Sequence, residues 1–372
     1  MMEKNTLKID LEKLQSLAKE RTVKTQNIEY DLETLVKKLN KGIIKLNPDY
    51  QRNHRWGEIE SSKLIESLIL NIPIPIVYLS QDIDVDEEVE EDVSRYSVID
   101  GQQRLTAIKE FMNEKFALEG LEVLKPLNGL HYNELPPFLV RRLEERTIKC
   151  LRIDSTVDSQ VKYDIFERLN SGAVKLESQE LRNAIYRGKF NNMIKELAKY
   201  ENFRKLLHIN MKDSEADNKV KKMLDIEYVL RFFAFYDGEI NNMKKSFKDF
   251  LSEQMAKYNK CSDKELKLME KQFITVVDLV YEKFGENAFS KYVYENKQFR
   301  LQSNFNASVY DAIMIAVSDN LSENKLKIDA DRIKEVKELF KNKKFYELIS
   351  GSTNDKSKII ARIDKVKGVL SE

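Results

Sequence analysis

Between Arg95 and Phe111 the chain reads RYSVIDGQQRLTAIKEF, and this stretch limits the fold sharply. Ser97, Val98 and Ile99 have the character of a buried strand, while Leu105, Ile108, Phe111 and Met112 recur at helical spacing. The two patterns meet at Asp100–Arg104, so a strand passes into a helix through an Asp-Gly turn, which predicts an α/β architecture. Gly101 lets the backbone adopt angles closed to other residues and approach a ligand closely. The next N–H groups, at Gln102, Gln103 and Arg104, precede the first internal bond of the helix and sit at the positive end of its dipole, an anion site by construction. Arg104 adds a fixed charge with bidentate geometry for phosphate. Asp100 is placed to hold a divalent cation or to orient a water. A plainer account fits the same residues: Asp100 caps the helix while Gln102 and Arg104 face solvent.

Around this junction the first half mixes short strands and helices. GIIKL (Gly42–Leu46), IVYLS (Ile76–Ser80), YSVID (Tyr96–Asp100) and RTIKCLRID (Arg146–Asp154) read as strands. Leu64, Ile65, Leu68 and Ile69 form a helical stripe that ends at the proline-bearing NIPIP. The acid-rich QDIDVDEEVEEDVSR reads as a solvated hairpin loop rather than a metal site. Residues 1–40 read as helical and polar, with a helix near Asp31–Leu39. From Asp158 onward the period is helical: Val161, Ile165 and Leu169, then Leu181, Ala184 and Ile185 up to Gly188. Beyond residue 190 the pattern is almost wholly helical, with Met211–Lys222 as a candidate linker. The expectation is an α+β chain: a helical arm over 1–29, a mixed sheet-and-helix domain over 30–190, and a helical domain over 191–372.

Composition removes several function classes. The closest pair among the eleven glycines, Gly120 and Gly129, are nine apart, which excludes both GxxxxGK[ST] and GxGxxG. Lys and Arg number 63 against 62 Asp and Glu, so the chain is not a wholesale polyanion binder, although a local basic surface remains open. No apolar run approaches the roughly 20 residues of a membrane span, and the charged first residues lack a signal-peptide core. Cys150 and Cys261 are too few for a disulfide framework or a thiolate cluster; a reducing cytoplasm is the expected home.

Three further clusters bear on chemistry. In NPDYQRNHRW, Gln51, Arg52 and Arg55 flank Tyr50 and precede Trp56, the sole tryptophan. Aromatics beside guanidinium groups suit a base stacked above a phosphate path; equally, Trp56 fits a core anchor. In FERLNSGAVKLESQELRNA, Arg168 and Asn170 stand at a helix break, and Glu180 and Arg182 read as surface charges on the next helix. Glu227 and Arg231, four apart in an apolar helix, pair to satisfy each other. Tyr292, Tyr294, Phe299, Arg300 and Asn304 fit either an aromatic–basic nucleic-acid surface or ordinary core and loop roles.

Together, YQRNHRW, VIDGQQRLTAI and FERLNSGAVKLESQELRNA, in that order, resemble the N-terminal domain of GmrSD-type restriction endonucleases, a ParB/sulfiredoxin-like fold. The resemblance covers roughly residues 30–190 and extends weakly through Leu224–Tyr236 and Phe305–Val317. It implies that the DGQQR box binds or hydrolyses a nucleoside triphosphate with Mg2+, licensing a separate nuclease or effector protein in antiviral defence, with DNA as a further partner and no membrane. Carried over, Asp100, Gln103 and Arg104 would be catalytic, with Asp100 on the metal. Gln51, Arg52, Gly101, Gln102, Arg168 and Asn170 would bind phosphate, and Tyr50 and Trp56 would stack the base. Two other readings stay open: an adaptor that binds nucleotide without hydrolysing it or binds DNA, and a ParB-like DNA nickase. The HNH nuclease domain of full-length relatives needs histidines. Here His54, His131 and His208 are the complete set, so no HNH nuclease is expected in this chain.

Overall fold

The computed structural model describes residues 24–46, 56–81, 96–154, 157, 159–169 and 177–371. Tyr50, Gln51, Arg52, His54, Arg55, Asn170 and most of the acid-rich loop lie outside them. The chain divides into two compact units, Met1–Leu176 and Glu177–Glu372. The third motif is thereby split, FERL in one unit and ESQELRNA in the other. The expected boundary at 190/191 and the candidate linker at 211–222 both fall inside the second unit, where Asn218–Lys221 is helical.

The first unit is built on a five-stranded mixed sheet of order β1-β5-β3-β4-β2. Its elements are β1 (Thr25–Asp31), α1 (Leu32–Asn40), β2 (Ile44–Lys45), α2 (Glu58–Ile69), β3 (Val77–Gln81), β4 (Tyr96–Asp100), α3 (Gln102–Met112), α4 (Pro137–Glu144), β5 (Thr147–Ile153) and α5 (Ser159–Leu169). β1 corrects the expected helical arm: residues 25–29 are strand. Ile28 and Tyr30 alternate onto the apolar side, and β1 pairs antiparallel with β5 from Thr25↔Ile153 to Asp31↔Thr147. Seven cross-strand partners outweigh the weak local preference of a polar segment for helix. Asp31 then ends the strand and caps α1, its carboxylate accepting from Thr34 N–H at 2.7 Å.

β3 is the hinge of the sheet, parallel to β5 and antiparallel to β4, and β4 is parallel to β2. One apolar core joins Val77, Leu79, Val98, Ile148 and Cys150 of the strands to Leu35 and Leu39 of α1, Ile65 and Leu68 of α2 and Leu105, Ile108 and Phe111 of α3. Each fully buried aliphatic or Phe side chain there contributes about 1.5–3 kcal/mol relative to exposure. Glu66 of α2, buried, accepts from Val123 N–H (2.9 Å) and Leu124 N–H (2.7 Å), which pins the long connection between α3 and α4 to this core.

The second unit is mostly helical. Its main elements are α6 (Ser178–Ile185), α7 (Lys189–Leu197), α8 (Leu224–Phe235), α9 (Phe247–Tyr258), α10 (Asp263–Phe284), α11 (Ala307–Ser322), α12 (Ala330–Glu338) and α13 (Lys356–Val369), with shorter helices between them. The departure from an all-helical reading is the hairpin β6 (Lys291–Glu295) and β7 (Gln298–Ser303). Phe190, Phe203, Phe232, Phe233, Phe273 and Tyr310 fill its centre.

The expectation for Glu180 and Arg182 is also corrected. Both are buried, at 2 % and 1 % exposure. Glu180 closes a capping box at the start of α6, accepting from Glu177 N–H, and Arg182 donates to Glu227 at 3.1 Å and to Gln179 at 2.9 Å. Glu227 and Arg231 do approach, at 3.9 Å, but Arg231 is held mainly by Asp311, through bonds of 2.5 and 3.0 Å. Arg362 reaches the same carboxylate at 2.5 Å. A four-residue spacing could not reveal a partner 80 positions away. Among the described residues no helix is long and apolar enough to cross a membrane.

Candidate functional site

The turn from β4 to α3 is built as its sequence requires. Gly101, not Asp100, is the N-cap, with φ +96° and ψ 9°, in the left-handed region that favours glycine. A Cβ there would lie 2.9 Å from Val77 Cγ2 and 3.1 Å from the Arg104 guanidinium, so the turn also lacks space for a side chain. The first internal bond of α3 runs from Leu105 N–H to Gly101 O at 2.9 Å. The N–H groups of Gln102, Gln103 and Arg104 therefore form the helix's N-terminal pole, and the glycine cap has no side chain to offer them. Gln102 and Gln103 are half-buried.

Asp100 and Arg104 are bound to each other. The guanidinium Nη2 donates to Asp100 Oδ2 at 2.9 Å, with the arginine side chain 10 % exposed and the aspartate 46 %. The remaining reach of Arg104 goes to main chain: it donates to Pro75 O and, at 3.4 Å, to Ile76 O. Burial pushes the Arg104 pKa down, against the opposing pull of Asp100. Arg104 is thus a clamp that ties the first turn of α3 to the lead-in of β3, and it presents a half-exposed Asp100 carboxylate at the mouth of the turn. The alternative in which Asp100 caps the helix and Arg104 faces solvent is overturned: the left-handed turn moves the cap to Gly101 and the guanidinium is buried.

The carbonyls of Pro75 and Ile76 complete this arrangement, and side-chain reasoning missed them. The available signal was the repeat IPIPI, an extended lead-in whose prolines donate no N–H. Arg168 is exposed in the last turn of α5, a helix packed beside β4. Trp56 is 38 % exposed just before α2, which removes the core-anchor reading. Tyr50, Gln51, Arg52 and Asn170 lie outside the described residues. His131 stands 3.9 Å from Glu114, and His208 takes a left-handed turn (φ 55°).

Among the described residues no three His, Cys, Asp or Glu side chains converge as a metal cage. The donor at the turn is the single Asp100 carboxylate. That fits Mg2+ in one particular way, since this ion takes one or two carboxylates together with substrate phosphates and water. Asp100 would supply one such oxygen to an ion arriving on a triphosphate. Bound there, the ion would offset phosphate charge.

Residues 32–187 match the family described as GmrSD restriction endonuclease, N-terminal domain. No curated protein and no solved structure matches the chain.

Proposed function

We propose that this chain, which matches the N-terminal domain of GmrSD restriction endonucleases over residues 32–187, serves a restriction or defence system, and that its first unit binds a nucleoside triphosphate with Mg2+ and hydrolyses it. The observation that carries this reading is the strand–Gly–helix turn with an exposed carboxylate beside it. In the proposal, the N–H groups at Gln102, Gln103 and Arg104 receive the terminal phosphate at the positive pole of an eleven-residue helix. Asp100 takes the metal or orients the attacking water, and Gln103 positions the γ-phosphoryl. Arg104 acts as a positioning residue that holds Asp100, because its donors are already engaged by carbonyls. Arg168, with Gln51, Arg52 and Asn170, would supply the outer phosphate contacts, and Tyr50 and Trp56 would stack the base. The product signal would pass to a separate nuclease or effector.

Phosphate release by the purified chain with each of the four triphosphates and Mg2+ tests this, beside Asp100→Asn, which keeps the shape and removes the charge. Loss of turnover in a folded Asp100→Asn supports the reading, and equal turnover in both refutes the assignment of Asp100. The engagement of Arg104 favours a second reading, in which nucleotide binds as a switch and is not hydrolysed: a catalytic arginine needs donors directed at the transferring phosphoryl. Tight triphosphate binding without product release would select that reading.

A further inference from the structure

The β6–β7 hairpin of the second unit has features that packing alone does not use. Its two-residue turn, Asn296–Lys297, has φ of 50° and 62°, the positive values that a type I′ hairpin turn requires, and pairing is in register from Glu295↔Gln298 to Tyr292↔Leu301 before shifting at Lys291. Register then sorts the side chains. Tyr292 faces Leu301 and Tyr294 faces Phe299 on one side, while Val293 faces Arg300 and Glu295 faces Gln298 on the other. The aromatic side meets the end of α12 and the turn after it, where Phe340 is buried and packs edge-on against Tyr292 at 5.6 Å.

Two lysines one helical turn apart lie on this rack. Lys337 Nζ is 4.4 Å from the Tyr292 ring and 5.4 Å from the Phe299 ring. Lys341 Nζ is 4.6 Å from Tyr294 and 5.3 Å from Phe299. Lys341 also pairs with Glu338, whereas Lys337 has no carboxylate partner among the described residues. The rings are not enclosed: Tyr294 is 36 % exposed and Leu301 48 %. Across 291–304 and 330–347 there are nine Lys and Arg against five Asp and Glu, a local excess of +4 in a chain of net +1.

We propose that this lysine-threaded aromatic face of the hairpin binds single-stranded nucleic acid. The excess charge matches a phosphodiester backbone, and ammonium groups held over rings are fixed donors rather than floppy ones. The exposed Tyr294 and Leu301 decide between single strand and duplex. Unstacked bases can pack onto such side chains, but a duplex presents phosphates to them and hides its base faces. The surface lies within the second unit and does not rest on the triphosphate reading.

The test is fluorescence anisotropy of the full chain with a labelled 20-mer single strand, the matching duplex and heparin. If about four phosphates are neutralised, single-strand affinity should fall about 50-fold between 50 and 200 mM salt. Lys337→Glu with Lys341→Glu should weaken it at least tenfold and flatten the salt slope. Tyr294→Ala should weaken single-strand binding about tenfold while leaving heparin binding unchanged. If circular dichroism shows the double variant unfolded, Lys337→Gln replaces it, with about threefold loss expected. Equal affinity in the folded lysine variant overturns the proposal. So does duplex binding tighter than single-strand binding, or heparin binding as tight as the single strand with Tyr294→Ala silent on both.

Discussion

Arg104 reaches back one helical turn to hold Asp100 at 2.9 Å, and with the same guanidinium it satisfies the carbonyls of Pro75 and Ile76. The aspartate at the mouth of the turn is therefore oriented by a residue that is itself buried and anchored to another strand's lead-in. A carboxylate fixed in this way loses little entropy on meeting a ligand.

Arg104→Lys keeps the charge and loses the planar fork, so it cannot serve a carboxylate and two carbonyls together. The expected cost is about 1–3 kcal/mol in urea unfolding, from carbonyls left without donors. A positioning role adds a signature that stability alone does not produce: at temperatures where the variant is folded, triphosphate affinity or turnover should fall further for Arg104→Ala than for Arg104→Lys.

Gly101→Ala places a methyl 2.9 Å from Val77 Cγ2 on a backbone with φ +96°. Steric crowding and left-handed strain add, and a loss of about 1–3 kcal/mol is expected. Chemical denaturation checks the loss. A stability equal to wild type would mean that the turn relaxes to another geometry.

Asp311 holds Arg231 and Arg362 in a site where all three are buried. Asp311→Asn removes the carboxylate that the two guanidinium groups share, leaving Arg231 only the 3.9 Å approach of Glu227, and removing one partner of a buried ion pair costs about 3–5 kcal/mol. Thermal melting should show the second unit affected, while an exposed pair such as Lys189–Asp263, 68 % exposed on both sides, should give under about 1 kcal/mol when Asp263→Asn breaks it.

Asp225 is buried, which raises its pKa from 3.8 to about 6, against the weaker pulls of its bond from Ile226 N–H and of Arg204. The native state thus keeps this proton where the unfolded chain has lost it. Stability contributed by this group is full below pH 4 and declines as pH rises toward 6, by roughly 3 kcal/mol in all. Asp225→Asn should remove that slope, measured as the difference in unfolding free energy between pH 4 and pH 7.

Much of this protein was written locally. The strand YSVID, the helix from Gln102 and the glycine between them follow from apolar spacing and from the angles that glycine alone takes easily, so the turn could be read directly. The DGQQR, YQRNHRW and FERLNSG motifs likewise marked the domain that residues 32–187 match. What the sequence could not contain was who partners whom across distance. That Thr25–Asp31 is a strand depends on β5 lying beside it, more than a hundred residues away. That Arg104 points inward depends on the carbonyls of Pro75 and Ile76, backbone groups with no side-chain signature. That Arg182, Arg231 and Arg362 are core rather than surface depends on Glu227 and Asp311 arriving from other helices. Spacing encodes which face a residue occupies; only tertiary packing decides what meets that face, because the energy of a buried charge is set by partners the local sequence does not include.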